Sequence, residues 1–288
     1  MSFQSKPQLY EFSGSCWSNV PKLAISETGY KSGDIEWISI NLAEGANFNP
    51  EYLKINKEGT VPALVSGGNT FTDSTTVVTE IVKLAPHPPR VHAHTSTSII
   101  EEIHAAAHDP NATLLFSRDD QDRDSKINGM VKPFLEGRQK ALDKYAPDAP
   151  SEFKSFLTSK QKDNKQLLEF YTGNPDASLS RVLGSIMTAE AAQLWKSVGI
   201  AIRGVITQAL NKNGGPFAAG DSPSEVDFHM ITWLSRTITN TGVEPGSPSS
   251  EVIPKLQEYT GGHTFDPVVG KYWDAWIARD SFKDNKIH

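Results

Sequence analysis

Cysteine is almost missing from this chain: Cys16 is the single one in 288 residues. One thiol excludes an intramolecular disulfide framework and any Cys-x-x-Cys dithiol chemistry, and it suits a reducing compartment. Basic excess is missing too. The 28 Lys and Arg stand against 34 Asp and Glu, a formal charge of −6, which argues against a general nucleic-acid binder, whose contact face is positive. No apolar run approaches the ~18 residues of a membrane span. Met1-Ser2-Phe3-Gln4-Ser5-Lys6 lacks the apolar centre of a signal peptide, so a cytoplasmic location is expected. The eight histidines are scattered, so no metal is expected. Internal repeats and coiled-coil heptads are not visible. What is present is ordinary: 38% apolar residues and enough length for two domains with substantial cores.

The first 86 residues alternate short β-prone runs with helical patterns. Gln8-Leu9-Tyr10-Glu11-Phe12 reads as a strand that ends at Ser13-Gly14-Ser15-Cys16-Trp17-Ser18. A helix follows over Val20 to Ile25, with Gly29 as its stop signal. Ile35 to Ile40 reads as a second strand and Pro50 to Lys54 as a short helix. Ala63-Leu64-Val65 and Thr70-Phe71-Thr72 flank a Gly67-Gly68-Asn69 turn, a hairpin signal. Ser74 opens a helix through Val77, Val78, Ile81 and Val82, which the prolines from Pro86 onward terminate. The order β-α-β-α-β-β-α predicts a thioredoxin-like α/β domain over residues 1–86.

Pro86 to Thr97 reads as a linker, and beyond it no strand pair is expected. Residues 98–288 read as an all-helical domain. Met130 to Tyr145 and Phe153 to Tyr171 have helical spacing. The longest periodic run places Leu183, Ile186, Leu194, Val198, Ile202, Ile206 and Leu210 along one face. Asp109 to Ser125 is polar and reads as a mobile insertion, and an insertion is expected around residues 109–174. Ser224 and Asp227, ahead of Phe228 to Leu234, form a reciprocal capping box, with Asp in the role more often taken by Glu. Tyr272, Trp273, Trp276 and Ile277 read as core.

Two polar features carry chemistry. Asn56-Lys57-Glu58-Gly59-Thr60-Val61-Pro62-Ala63-Leu64 is a turn, an X-Pro step and a strand start. Pro62 donates nothing to a ladder, and a cis Val61–Pro62 bond would turn the backbone of Val61 outward to a ligand. Asp73-Ser74 follows at the start of a helix, where a carboxylate and free N–H groups suit something peptide-like.

This stretch resembles the glutathione-binding half of the glutathione transferase family. The family pattern is Asn-Pro-x-Gly-x-Val-Pro-x-Leu followed by an acidic residue and Ser. Asn56, Gly59, Val61, Pro62, Leu64, Asp73 and Ser74 match it, while Lys57 replaces the first proline. Gly220-Asp221 through Asp227 resembles the family's capping element, and Gly14-Ser15-Cys16-Trp17-Ser18 is similar to the zeta-class Ser-Ser-Cys segment, with Asn19 and Pro21 where arginines often occur.

The resemblance implies a two-domain fold and a transferase that uses glutathione as co-substrate against small hydrophobic electrophiles. It implies a detoxifying homodimer with no need for metal or nucleotide. It assigns Ser15 as the hydroxyl that stabilises the glutathione thiolate, Val61 as the backbone partner of the tripeptide, and Asp73 and Ser74 as partners of its γ-glutamyl end. Thr60 lies beside them, and Asn47 would contribute from the preceding loop. Cys16 is the competing catalytic residue, because a thiol at a helix N-terminus has a lowered pKa and forms mixed disulfides. Pro21 is tolerated if Ser18 caps the helix, which would bring Ser18 closer to the ligand. Tyr145, Trp195 and Trp233 are either electrophile-site or core residues. The alternatives are a Cys16-based thiol transferase or reductase, a glutathione-dependent isomerase or ether-cleaving enzyme, and a non-catalytic small-molecule binder of the same fold.

Overall fold

In the computed structural model, which describes residues 6–85, 97–173 and 178–285, four short strands form one sheet in the order β2-β1-β3-β4. They are β1 (Gln8–Glu11), β2 (Glu36–Ser39), β3 (Ala63–Ser66) and β4 (Asn69–Phe71). Strands β1 and β2 are parallel, with Leu9 opposite Trp37, and their crossover contains helix α1 (Asn19–Glu27). The β1–β3 and β3–β4 pairs are antiparallel, with Leu64 opposite both Leu9 and Phe71. Leu9, Ala63 and Leu64 are fully buried. The hairpin turn is Gly67-Gly68 alone. Both glycines have positive φ, 55° and 81°, the conformation a two-residue hairpin requires, and Asn69 already belongs to β4.

Helices complete the chain: α2 (Pro50–Leu53), α3 (Ser74–Lys83), α4 (Thr97–Ile103), α5 (Pro110–Leu115), α6 (Asp120–Asn128), α7 (Val131–Tyr145), α8 (Ser151–Thr172), α9 (Ser178–Ala201), α10 (Thr207–Asn211), α11 (Glu225–Thr239), α12 (Ser249–Tyr259), α13 (Pro267–Ile277) and α14 (Asp280–Asp284). A small mixed sheet with helices followed by a helical region is the thioredoxin-like, then all-α architecture expected. The expected linker at 86–97 falls almost entirely outside the described residues. The polar stretch 109–125 contains α5 and the start of α6, whose N-terminus is capped by Asp119 through the N–H of Asp122.

Two compact units emerge: Met1–Ser15, Ile35–Asp73 and Leu114–Ala192 form one, and Cys16–Asp34, Ser74–Thr113 and Gln193–His288 the other. In the first, two 3₁₀ turns (Leu42–Glu44 and Ala46–Phe48) follow β2 and pack with α2 and α7. Asn41 accepts from the N–H groups of Ala43 and Glu44, and Gly45 joins the turns at φ 67°. Phe48, Leu53, Ala141, Leu142, Ala146, Phe153 and Leu157 form one buried cluster there.

In the second unit, α11 is the centre. Its residues from Glu225 to Ile238 are all buried, and it packs against α1 and α4. The expected capping box starts it: the Asp227 carboxylate accepts from the Ser224 N–H at 2.8 Å, the Ser224 hydroxyl at 2.7 Å and the Ala218 N–H at 2.8 Å. Tyr272, Trp273 and Trp276 on α13 are fully buried, as expected of core.

The apolar stripe of the long run departs from the expectation at Ile186, which is 49% exposed. A step of four residues overshoots a helical turn by about 40°, so Ile186, eight residues before Leu194, has rotated about 80° off the face. Leu194 through Leu210 keep the four-residue spacing and stay buried. The helix takes up the mismatch with a π segment at Ile202–Ile206.

Candidate functional site

One side chain is the hub of the turn before β3. Asn56, 1% exposed, donates through Nδ2 to the Thr60 carbonyl (2.8 Å), the Thr60 hydroxyl (2.9 Å) and the Thr72 carbonyl (3.3 Å). Its Oδ1 accepts from the Glu58 N–H at 3.1 Å. Tyr52 adds a hydroxyl bond to the Thr60 carbonyl at 2.5 Å, and Asn47, buried, donates to the Gly59 carbonyl at 2.7 Å. Every fixed group is on residues 58–60 or 72. The backbone of the next residue, Val61, has no hydrogen-bond partner among the described residues, and the Val61–Pro62 bond is cis. Thr60 is exposed beside it. A peptide backbone could pair here as an added strand does.

At the other end of the pattern, Ser15 is half-buried after the Ser13-Gly14 turn, and its N–H donates to the Phe12 carbonyl at 2.9 Å. Helix α1 begins only at Asn19, with Ser18 at the cap position, so Pro21 is its third residue, where an N–H has no intrahelical acceptor to lose. Ser18 itself is fully buried, as is Asn19. Both polar side-chain atoms of Asn19 lack partners among the described residues.

Cys16 is 1% exposed, and its thiol donates to the Thr232 carbonyl at 3.6 Å. Burial pushes its pKa up to about 12, against the opposing effect of the nearby Arg236 guanidinium. Those are the conditions of an unreactive thiol, the opposite of the lowered pKa that Cys16 catalysis requires.

Asp73 is exposed and precedes Ser74, the buried first residue of α3. Tyr145 packs on the cluster around Phe48, while Trp195 and Trp233 are buried, the latter donating to the His108 carbonyl at 3.0 Å. All three are packing residues. Sequence reasoning passed over the hub role of Asn56 and Tyr52, although Asn56 lay inside the motif. It also missed a polar cluster in the second unit, where Trp17 stacks on His104 at 3.9 Å and His104 bonds the buried His229 at 2.8 Å. With the histidines 125 positions apart, no local pattern announces that pair. Among the described residues no group of three His, Cys, Asp or Glu is placed to hold a metal ion, and no helix is long and apolar enough to cross a membrane.

Comparison with known proteins agrees with this geometry. The family profile described as "Glutathione S-transferase, N-terminal domain" matches residues 9–89. Over residues 9–89 the chain is similar to a glutathione transferase N-terminal domain. Glutathione S-transferase Z1 of Arabidopsis thaliana is 34% identical over 88 residues, 31% of this chain and 38% of that protein. A zeta-class glutathione S-transferase of Euphorbia esula is 36% identical over 84 residues, 29% of this chain and 36% of that one. The match thus spans little more than a third of these relatives' length. Two solved structures share the fold over nearly the whole chain: beta-etherase LigF from Sphingobium sp. strain SYK-6 (TM-score 0.52, 15% identity, 98% of this chain and 99% of that one) and glutathione S-transferase III in apo form (TM-score 0.50, 17% identity, 98% and 96%).

Proposed function

We propose that the chain is a glutathione transferase in which the glutathione thiolate attacks an electrophilic carbon of a small apolar compound. The observation that carries this reading is Val61, whose backbone has no partner among the described residues, at the edge of a turn that Asn56 locks in place, within the matched N-terminal stretch. Val61 pairs with the cysteinyl unit of the tripeptide. The Asp73 carboxylate meets the γ-glutamyl ammonium, and Ser74, at the N-terminus of α3, receives the γ-glutamyl carboxylate with its hydroxyl and amide. Thr60 lies alongside. The same reading includes a homodimer, a cytoplasmic location and a detoxifying role.

A free thiol with a pKa of ~8.5 is only a few per cent thiolate at neutral pH. The Ser15 hydroxyl, donating to the sulfur, favours the anion and so raises the fraction able to attack. A hydrogen bond to a charged group contributes ~1.5–3 kcal/mol, so Ser15→Ala should lower kcat/KM by roughly 10–100-fold with little change in glutathione affinity. The test is a conjugation assay with a chloronitroaromatic, run beside an aryl ether and an isomerisable enone. Wild-type conjugation that Ser15→Ala sharply slows supports the reading. Equal rates for the two proteins, or no turnover of any substrate by wild type, would overturn it.

A further inference from the structure

The α7–α8 hairpin lies within residues 109–174, and within its own unit it packs on the segment that leads into the candidate ligand turn. Contact runs along residues 43 to 59. At Gly137, in mid-helix, an added Cβ would lie 2.0 Å from the Ala43 carbonyl oxygen, so α7 touches the 3₁₀ turn backbone to backbone. Glycine costs a helix ~1 kcal/mol relative to alanine, and this close approach is the reason for its use. One helical turn on, a Cβ at Gly45 (φ 67°) would lie 2.4 Å from the Ala141 methyl. Between them Arg138 sets its guanidinium over the Phe48 ring at 4.7 Å, and burial lowers its pKa to about 10. Phe153 and Leu157 of α8 share a buried cluster with Phe48 and Leu53. Phe156, between them, packs on the same cluster and reaches the turn itself, with its Cζ 3.2 Å from where a Cβ on Gly59 (φ 59°) would lie.

We propose that the α7–α8 hairpin is a positioning element for the ligand turn, and that Phe156 against Gly59 is the contact through which it holds residues 59–61. The inference rests on the reading of Val61 as the glutathione partner. Gly59 is already fastened on one side by its N–H to the Asn56 carbonyl (2.9 Å) and by its own carbonyl to Asn47. The phenyl ring covers another side, so Gly59 is held from two directions. A helical hairpin placed in this way tunes the affinity for the tripeptide and leaves the chemical step alone.

The test compares Phe156→Ala with Leu135→Ala. Leu135 lies in the same hairpin, but in the separate cluster with Val131, Phe170 and Tyr171. Both variants should lose stability. Only Phe156→Ala should raise the glutathione KM, by roughly 3–10-fold, with kcat at saturating glutathione within about twofold of wild type. Only Phe156→Ala should speed amide exchange at Gly59, by about tenfold or more, and Phe156→Leu should restore most of the protection. Unchanged exchange at Gly59 in Phe156→Ala, or an equal KM shift in Leu135→Ala, overturns the proposal. Accelerated exchange in a chain whose wild type binds no glutathione would uphold the buttress and strike down the glutathione reading alone.

Discussion

Replacing Asn56 by alanine removes four hydrogen bonds at a site 1% exposed to solvent. The Thr60 carbonyl keeps its bond from the Tyr52 hydroxyl. The Thr72 carbonyl and the Glu58 N–H lose the partner described here, and each such group costs ~1–3 kcal/mol when left unpaired away from water. Glu58 is partly reached by solvent, so the sum should be about 2–4 kcal/mol. For a chain of this size that corresponds to roughly 3–7 °C in the unfolding midpoint. Asn56→Asp should cost at least as much, because it replaces the donor with an anion facing two carbonyl oxygens. Both variants should also raise the glutathione KM, since the turn beside Val61 would lose its anchor. Thermal and urea unfolding, with glutathione kinetics run well below the midpoint, check this. An Asn56→Ala protein within 0.5 kcal/mol of wild type, or an Asp variant more stable than the Ala one, would refute the reasoning.

Three further outcomes follow. Burial and the neighbouring His104 hold the pKa of His229 well below 6.5; the unfolded chain therefore takes up a proton there first. The stability it contributes is whole above ~6.5 and falls by up to about 1.4 kcal/mol per pH unit below that, and His229→Phe should flatten the slope in urea titrations between pH 7.5 and 5. The native Cys16 thiol should react with an aromatic disulfide reagent roughly three orders of magnitude more slowly than the unfolded chain's, and Cys16→Ser should keep conjugating activity, both read in simple thiol and rate assays. Asp227→Ala leaves the buried N–H groups of Ala218 and Ser224 without their acceptor, so urea denaturation should show a loss of ~2–5 kcal/mol, against ~1 for Ser224→Ala.

Local chemistry explains which parts of this protein are legible from sequence. The Gly67-Gly68 hairpin, the Ser224–Asp227 cap and the helix starting at Ser74 each depend on residues within a few positions of one another. Their backbone preferences act without tertiary help. Ser15, Val61 and Asp73-Ser74 stood out because a motif with fixed spacing surrounds them. Ile186 shows where periodicity misleads: a four-residue repeat matches the helix over a turn or two, then rotates away. The hub role of Asn56 needed knowledge of where Thr60 and Thr72 lie relative to its amide. The contact of Gly137 with Ala43, 94 positions apart, and that of Phe156 with Gly59 are matters of tertiary packing. Nothing in the polar surface of α8 announces which face lies against the turn.

Calorimetric titration with glutathione tests the central claim most directly, with the dipeptide Cys-Gly as the control that lacks the γ-glutamyl group. The account predicts one saturable site per chain for glutathione, at least tenfold weaker binding of Cys-Gly, and a comparable loss of glutathione affinity in Asp73→Ala. A wild-type chain that takes up no glutathione, or that binds the dipeptide as tightly as the tripeptide, would contradict it.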